Sequence, residues 1–142
     1  MTGLSRVTKI ASLAAGERTI LLRCMAHAVA TEVLWKTMSF PGLVDAVRSD
    51  EWKRGATRQD RELCETAGRL IGPAFNAIGI RSSCLKRAMA LSALLRSEGI
   101  PAEIVLGVRS DESGFRSHAW LRVPSCDFSW KDDCAYEEAA VL

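Results

Sequence analysis

The hydrophobic period of this chain changes once, at Gly99-Ile100-Pro101. Before that point apolar residues recur at three- and four-residue intervals. After it they recur at every second position. Such a chain predicts helices first and a small antiparallel sheet afterwards, an α+β arrangement. Strands that alternated with helices would instead signal a parallel sheet. With 142 residues there is enough chain for one compact core. No linker, repeat or low-complexity segment divides it, so 1–142 reads as a single domain. Its portions are helical (1–80) and helix plus sheet (81–133).

Residues 1–15 read as a loose lead-in. From about Gly16 to Met38, Ile20, Leu21, Cys24, Met25, Ala28, Val29, Val33 and Leu34 keep a helical spacing. Ser39-Phe40-Pro41-Gly42 breaks it, and Leu43 to Val47 suits a short helix. Arg48 to Arg58 is charged and reads as a loop. A third helix fits Gln59 to Ile71, with Gly72-Pro73 kinking or ending it and Ala74 to Ile78 as a further turn. Ser82 and Ser83 are capping residue types ahead of a run of helix formers, Ser83 to Ser97. Gly99 and Pro101 are its stop signals. Strands are predicted at Ala102–Val108, Phe115–Val123 and Phe128–Lys131, with Arg109–Gly114 and Pro124-Ser125-Cys126-Asp127 as turns. The tail from Cys134 to Leu142 has no readable period.

Composition excludes several classes of function. A net charge of +2, with both signs interspersed, gives no basic stripe for nucleic acid. No run nears the roughly 18 apolar residues of a membrane span. The N-terminus makes a poor signal peptide. The five cysteines are odd in number and lack C-x-x-C spacing. They read as free thiols in a reducing cytoplasm, with several buried as small apolar groups. No Gly-rich phosphate loop is present. Cys126, Cys134 and His118 lack the compact spacing of a zinc site. Neither a cofactor nor a metal is expected, and His27 reads as a surface or packing residue.

The chemistry concentrates on three positions. Cys84 falls in the first turn of the predicted helix, where the positive end of the helix and unpaired N–H groups favour a thiolate. His118 lies mid-strand on the face shared by Arg116, Trp120 and Arg122. The opposite face, Phe115, Ala119, Leu121 and Val123, is apolar and points to the core. Trp120 is placed to shield the imidazole from water. If Val123 faces Phe128 across the turn, the register sets Asp133 opposite His118, and a slip of one residue sets Asp132 there. A carboxylate at that place would orient the imidazole.

The segment that carries these residues resembles the transglutaminase-like cysteine peptidases. More closely, it resembles the leader peptidases of lasso-peptide biosynthesis, the protease half of the B protein. The resemblance rests on Cys84-Leu85, Arg87-Ala88, Leu94-Leu95, Gly99-Ile100-Pro101-Ala102, Gly107-Val108, Phe115 and His118-Ala119-Trp120. It is specific over Cys84–Val123 and general over the N-terminal helices. It implies a papain/transglutaminase-like fold and a Cys–His–Asp triad that removes the leader from a ribosomally made precursor peptide. Cys84 would be the nucleophile, His118 the base and then the acid, and Asp132 or Asp133 the orienting carboxylate. The family's hairpin between His and Asp is usually shorter. Motif position favours Asp132, and strand pairing favours Asp133.

The same resemblance implies partners in a bacterial cytoplasm: the precursor (leader) peptide, a separate leader-recognition protein and an ATP-using lasso cyclase. Neither nucleic acid nor membrane is expected. The helical start of the chain leaves little room for a recognition module beside the protease. Papain-like sites often draw a second oxyanion donor from an upstream side chain. Trp35 is upstream, but as an aromatic it suits the core better. Two other readings compete: a general transglutaminase-like amidase or acyltransferase, and a non-catalytic peptide-binding module of the same fold.

Overall fold

A computed structural model of the chain describes residues 11–47, 57–123, 128–130 and 136–142. Among the described residues four helices come first: α1 (Ala15–Thr37), α2 (Phe40–Val47), α3 (Arg58–Ala77) and α4 (Cys84–Ser97). Four strands follow: β1 (Glu103–Asp111), β2 (Gly114–Val123), β3 (Phe128–Trp130) and β4 (Glu137–Val141). The sheet runs β3-β2-β1-β4, with each neighbouring pair antiparallel. The α+β order read from the period change is the order observed.

Helix α4 lies at the centre and packs against α1, α2, α3, β1 and β2. Seven of its residues are buried: Ala88, Met89, Ala90, Leu91, Ser92, Leu94 and Leu95. That is more than one stripe along the helix, because neighbours pack on several of its sides. Ser83 caps its start in an extended conformation (φ −113°, ψ 167°), and its hydroxyl accepts from Lys86 N–H at 3.2 Å. The end is a Schellman motif. Gly99 takes φ +74°, its N–H donates to the Arg96 carbonyl, and Ile100 N–H donates to the Leu95 carbonyl. Ile100 is itself buried, so the motif turns the chain inward towards β1.

Helix α1 lays Leu21, Cys24, Ala28 and Thr31 inward, a spacing of three and four residues. Two ion pairs hold it along α4. Arg23 binds Glu98, and Lys86 reaches Glu32 at 2.7 Å. The break after α1 falls at Met38-Ser39, and α2 already begins at Phe40. Pro41 then sits in a first turn, where a missing N–H costs nothing.

Pro73 neither ends nor interrupts the assigned span of α3. The proline removes one hydrogen bond and crowds the preceding turn, a cost of about 3 kcal/mol. Leu70, Ile71, Ala74 and Phe75 are buried around it, and one large apolar side chain alone recovers roughly 1.5–3 kcal/mol. The start of α3 is a reciprocal capping box. Asp60 N–H donates to Thr57 Oγ1 at 3.1 Å, and Thr57 N–H donates to Asp60 Oδ2 at 2.9 Å.

The sheet differs from expectation in three places. Strand β1 runs to Asp111, and Asp111 pairs with Gly114, so only Glu112 and Ser113 form the turn. Asp111 Oδ1 accepts from Ser113 N–H at 2.8 Å, and Gly114 supplies φ +113°. Phe115, expected in the core, is 72% exposed because the hairpin tip extends beyond the helical layer. The tail contains a strand, β4, which pairs with β1 with a register shift between Leu106 and Gly107. The expected pairing of Val123 with Phe128 is the one present. Residues 48–56, most of the predicted charged loop, lie outside the described residues, as do residues 1–10 of the lead-in.

Replacing Thr57 with alanine should destabilise the protein by about 1 kcal/mol, since the Asp60 N–H loses its Thr57 Oγ1 acceptor. Urea denaturation of the purified variant measures it, and an unchanged midpoint would contradict the assigned cap.

Candidate active site

Cys84 is the first residue of α4, directly after the Ser83 cap. Its N–H belongs to the first turn, whose donors lack helical carbonyl partners and point out of the helix end. The thiol is free and half-buried, packed against the rim of the core. By contrast, Cys24 and Cys64 are fully buried. Burial pushes the Cys24 thiol up to about 11, only partly opposed by the nearby Arg23. Position on α4 thus separates one accessible thiol from two packing thiols.

Beside Cys84 on α4, Lys86 meets α1. Its ammonium donates to Glu32 Oε2 and lies 5.3 Å from the centre of the Trp35 ring. Lys36 closes on the other oxygen of Glu32 at 3.2 Å. The hydrogen bond from Lys86, and then Lys36, holds the Glu32 carboxyl below the usual carboxylate range, against an opposing effect of burial. Trp35 also packs on the core, as its aromatic character suggested. His27, further back on α1, is half-buried, and burial followed by Arg23 lowers its pKa.

Strand β2 divides its residues between two faces. Ala119, Leu121 and Val123 join the core cluster that includes the buried side of α4. His118 and Trp120 alternate with them and belong to the other face. Trp120 is 2% exposed, and its ring stacks with the imidazole at 6.2 Å between centres and 22° between planes. That is the shielding tryptophan expected from the sequence. Helix α4, which begins at Cys84, packs against β2, the strand that carries His118, on the face of Ala119, Leu121 and Val123.

A second ring beside His118 escaped the sequence reading. Tyr136, just before β4, stacks on the imidazole at 5.2 Å and 29°. Arg109 lies over Tyr136, its guanidinium carbon 5.6 Å from the ring centre. The one available signal was Gly107, a glycine amid β-branched residues in β1. Such a glycine marks the close approach of another group. Gly107 is the cross-strand partner of His118, and a Cβ there would collide with Trp120 and come within 2.9 Å of Tyr136 Cβ. Asp132 and Asp133 lie outside the described residues, as do Cys126 and Cys134.

A family model described as the transglutaminase-like superfamily matches residues 27–126. The chain belongs to the transglutaminase-like superfamily. The match begins within α1, covers α4 and β2 whole, and includes Cys84 and His118. It stops short of Asp132 and Asp133. Cysteine peptidases and acyltransferases are common among members of this superfamily. Searches of curated proteins and of solved structures returned no match. No described helix is long and apolar enough to cross a membrane.

Iodoacetamide at neutral pH should modify Cys84 at least about tenfold faster than Cys24 or Cys64, whose thiols are desolvated. Peptide mapping by mass spectrometry reads the three sites separately. Equal rates at Cys24 and Cys84 would contradict the burial difference.

Proposed function

We propose that this transglutaminase-like protein is a cysteine peptidase that removes the leader from a lasso-peptide precursor. The observation that carries the proposal is the free, partly exposed Cys84 at the Ser83-capped start of α4. The helix start supplies backbone N–H groups beside the sulfur that can stabilise an oxyanion forming there. Superfamily membership supports thiol chemistry at that position, and the resemblance over Cys84–Val123 supports the finer assignment.

In this mechanism the Cys84 sulfur attacks the scissile carbonyl carbon, forming a C–S bond as the carbonyl electrons move onto oxygen. The oxyanion takes a hydrogen bond from the Cys84 backbone N–H. Protonated His118 delivers its proton to the leaving nitrogen, and the C–N bond breaks. Water then loses a proton to the neutral imidazole and attacks the thioester, and the Cys84 thiolate departs. Asp132 or Asp133 orients the imidazole. The pairing of Val123 with Phe128 is the premise under which strand pairing names Asp133. Trp35 is the upstream candidate for a second oxyanion donor.

The substrate arrives, in this proposal, with a separate small protein that recognises the leader, and a separate ATP-using cyclase acts on the released core peptide. The work proceeds in a bacterial cytoplasm. The broader alternative is an amidase or acyltransferase acting on another acyl donor.

The test incubates a candidate precursor with its recognition protein and follows products by mass spectrometry. Wild-type protein should release the leader, and Cys84→Ala should lose at least about a thousandfold in rate. Equal cleavage by both would remove Cys84 as the nucleophile. Cleavage unaffected by leaving out the recognition protein, with no ternary complex on pull-down, would overturn the split system.

A further inference from the structure

The geometry points to Tyr136 as a positioning residue for His118, holding the imidazole in one orientation from a different strand than the one that bears it. The inference rests on the reading of His118 as the general base. It adds a residue outside the matched region 27–126 to the machinery of that base.

The last torsion of a histidine side chain has a broad, roughly two-fold profile. An imidazole on an exposed strand face therefore turns unless something packs against it. Two rings do so here, both within 30° of parallel: Trp120 from β2 itself and Tyr136 from the chain entering β4. Tyr136 has the closer centre, at 5.2 Å against 6.2 Å. The approach is possible because position 107, paired with His118, has no side chain. A Cβ there would come within 2.7 Å of Trp120 Cη2 and 2.9 Å of Tyr136 Cβ, so the bare backbone leaves room for the Trp120 ring and for the root of the Tyr136 side chain.

The tyrosine is itself held. β4 pairs with β1 through Gly107 with Glu138 and Val108 with Glu137, which sets the chain directly after Tyr136. Arg109, an odd-numbered neighbour of Gly107 on the same strand face, covers the tyrosine ring. The guanidinium is fixed in turn by Asp111 at 3.0 Å. The electron-rich faces of aromatic rings attract cations. The charged groups sharing this face among the described residues are Arg109 and Arg116, paired in register, Arg122, and the acids Glu103, Asp111 and Glu138. Arg122 is tied to Glu103 at 3.0 Å and to Glu138 at 2.9 Å. The acids nearest by register are thus engaged, and the aromatic rings are the groups in stacking contact with the imidazole.

The experiment follows two quantities in wild type, Tyr136→Phe, Tyr136→Leu and His118→Ala. One is the titration of the His118 ring by NMR. The other is the rate of Cys84 alkylation by iodoacetamide against pH, read at the Cys84 peptide. Tyr136→Phe should reproduce wild type, since the ring and not the hydroxyl does the positioning. Tyr136→Leu should displace the His118 protonation equilibrium by about two- to fivefold, the scale of one ring–cation contact. Its alkylation profile should shift the same way. A leucine variant that titrates as wild type, or a phenylalanine variant that behaves as the leucine one, would overturn the proposal.

Wild type alone supplies a further check that needs no variant. Cross-relaxation between the Tyr136 and His118 ring protons is required, and its absence would overturn the stack. If the alkylation profile is the same in His118→Ala as in wild type, the pairing of Cys84 with His118 fails. The NMR titration would still decide the role of Tyr136.

Discussion

Burial of the middle of α4 on most of its sides is the constraint on which the rest of the structure depends. A helix of fourteen residues with seven buried cannot be left facing water, so it needs cover from several directions. α1 and α3 supply helical walls, and β1 and β2 supply a floor. Small residues are fully buried on all three helices: Cys24 and Ala28 on α1, Ala67 and Ala74 on α3, Ala88 and Ala90 on α4. Ala93 and Ser97 stay exposed further along α4, and the start of the helix is only partly enclosed. There the chain leaves Cys84 half-covered, with the open hydrogen-bond donors of the first turn beside it.

The strands do two jobs at once because side chains alternate across a sheet. Ala119 and Leu121 close the hydrophobic core, while His118 and Trp120, between and beside them, face the other way. Neither face intrudes on the other. The apolar side can be packed for stability, and the polar side is left to rings and charges: Tyr136, Arg109, Arg122 and Glu138. Membership in the transglutaminase-like superfamily fits this division, since thiol chemistry needs a rigid scaffold behind its reactive groups.

Much of this was legible in the residues, and the exceptions have physical causes. The order of elements, the limits of α4 and the Val123–Phe128 pairing follow from period, caps and turns, which are local signals. Phe115 was misplaced because alternation tells which side a residue takes, not how far the opposing layer extends. The continuation of α3 through Pro73 was left undecided because the outcome depends on tertiary burial of Phe75 and Ile71. Strand β4 was missed because its five residues are exposed, so no apolar alternation marks them. Its existence depends on the free edge of β1. Tyr136 was missed with it, although Gly107 carried a trace of its presence. The separation of Cys84 from the other described thiols was legible in part: capping placed it at a helix end, while depth had to come from coordinates.

The paired contacts between α1 and α4 also act as a gauge of length. Arg23 meets Glu98 at the far end of α4, and Glu32 meets Lys86 near its beginning. The two helices therefore run in opposite directions and are matched at two marks. Adding a single residue between Arg23 and Glu32 would swing the second mark by about 100° around the helix axis and break the match. Side chains along that interval can drift over time, but the spacing between the marks cannot. Insertions in relatives of this chain should accumulate before Arg23 or after Lys36, leaving the interval between them constant.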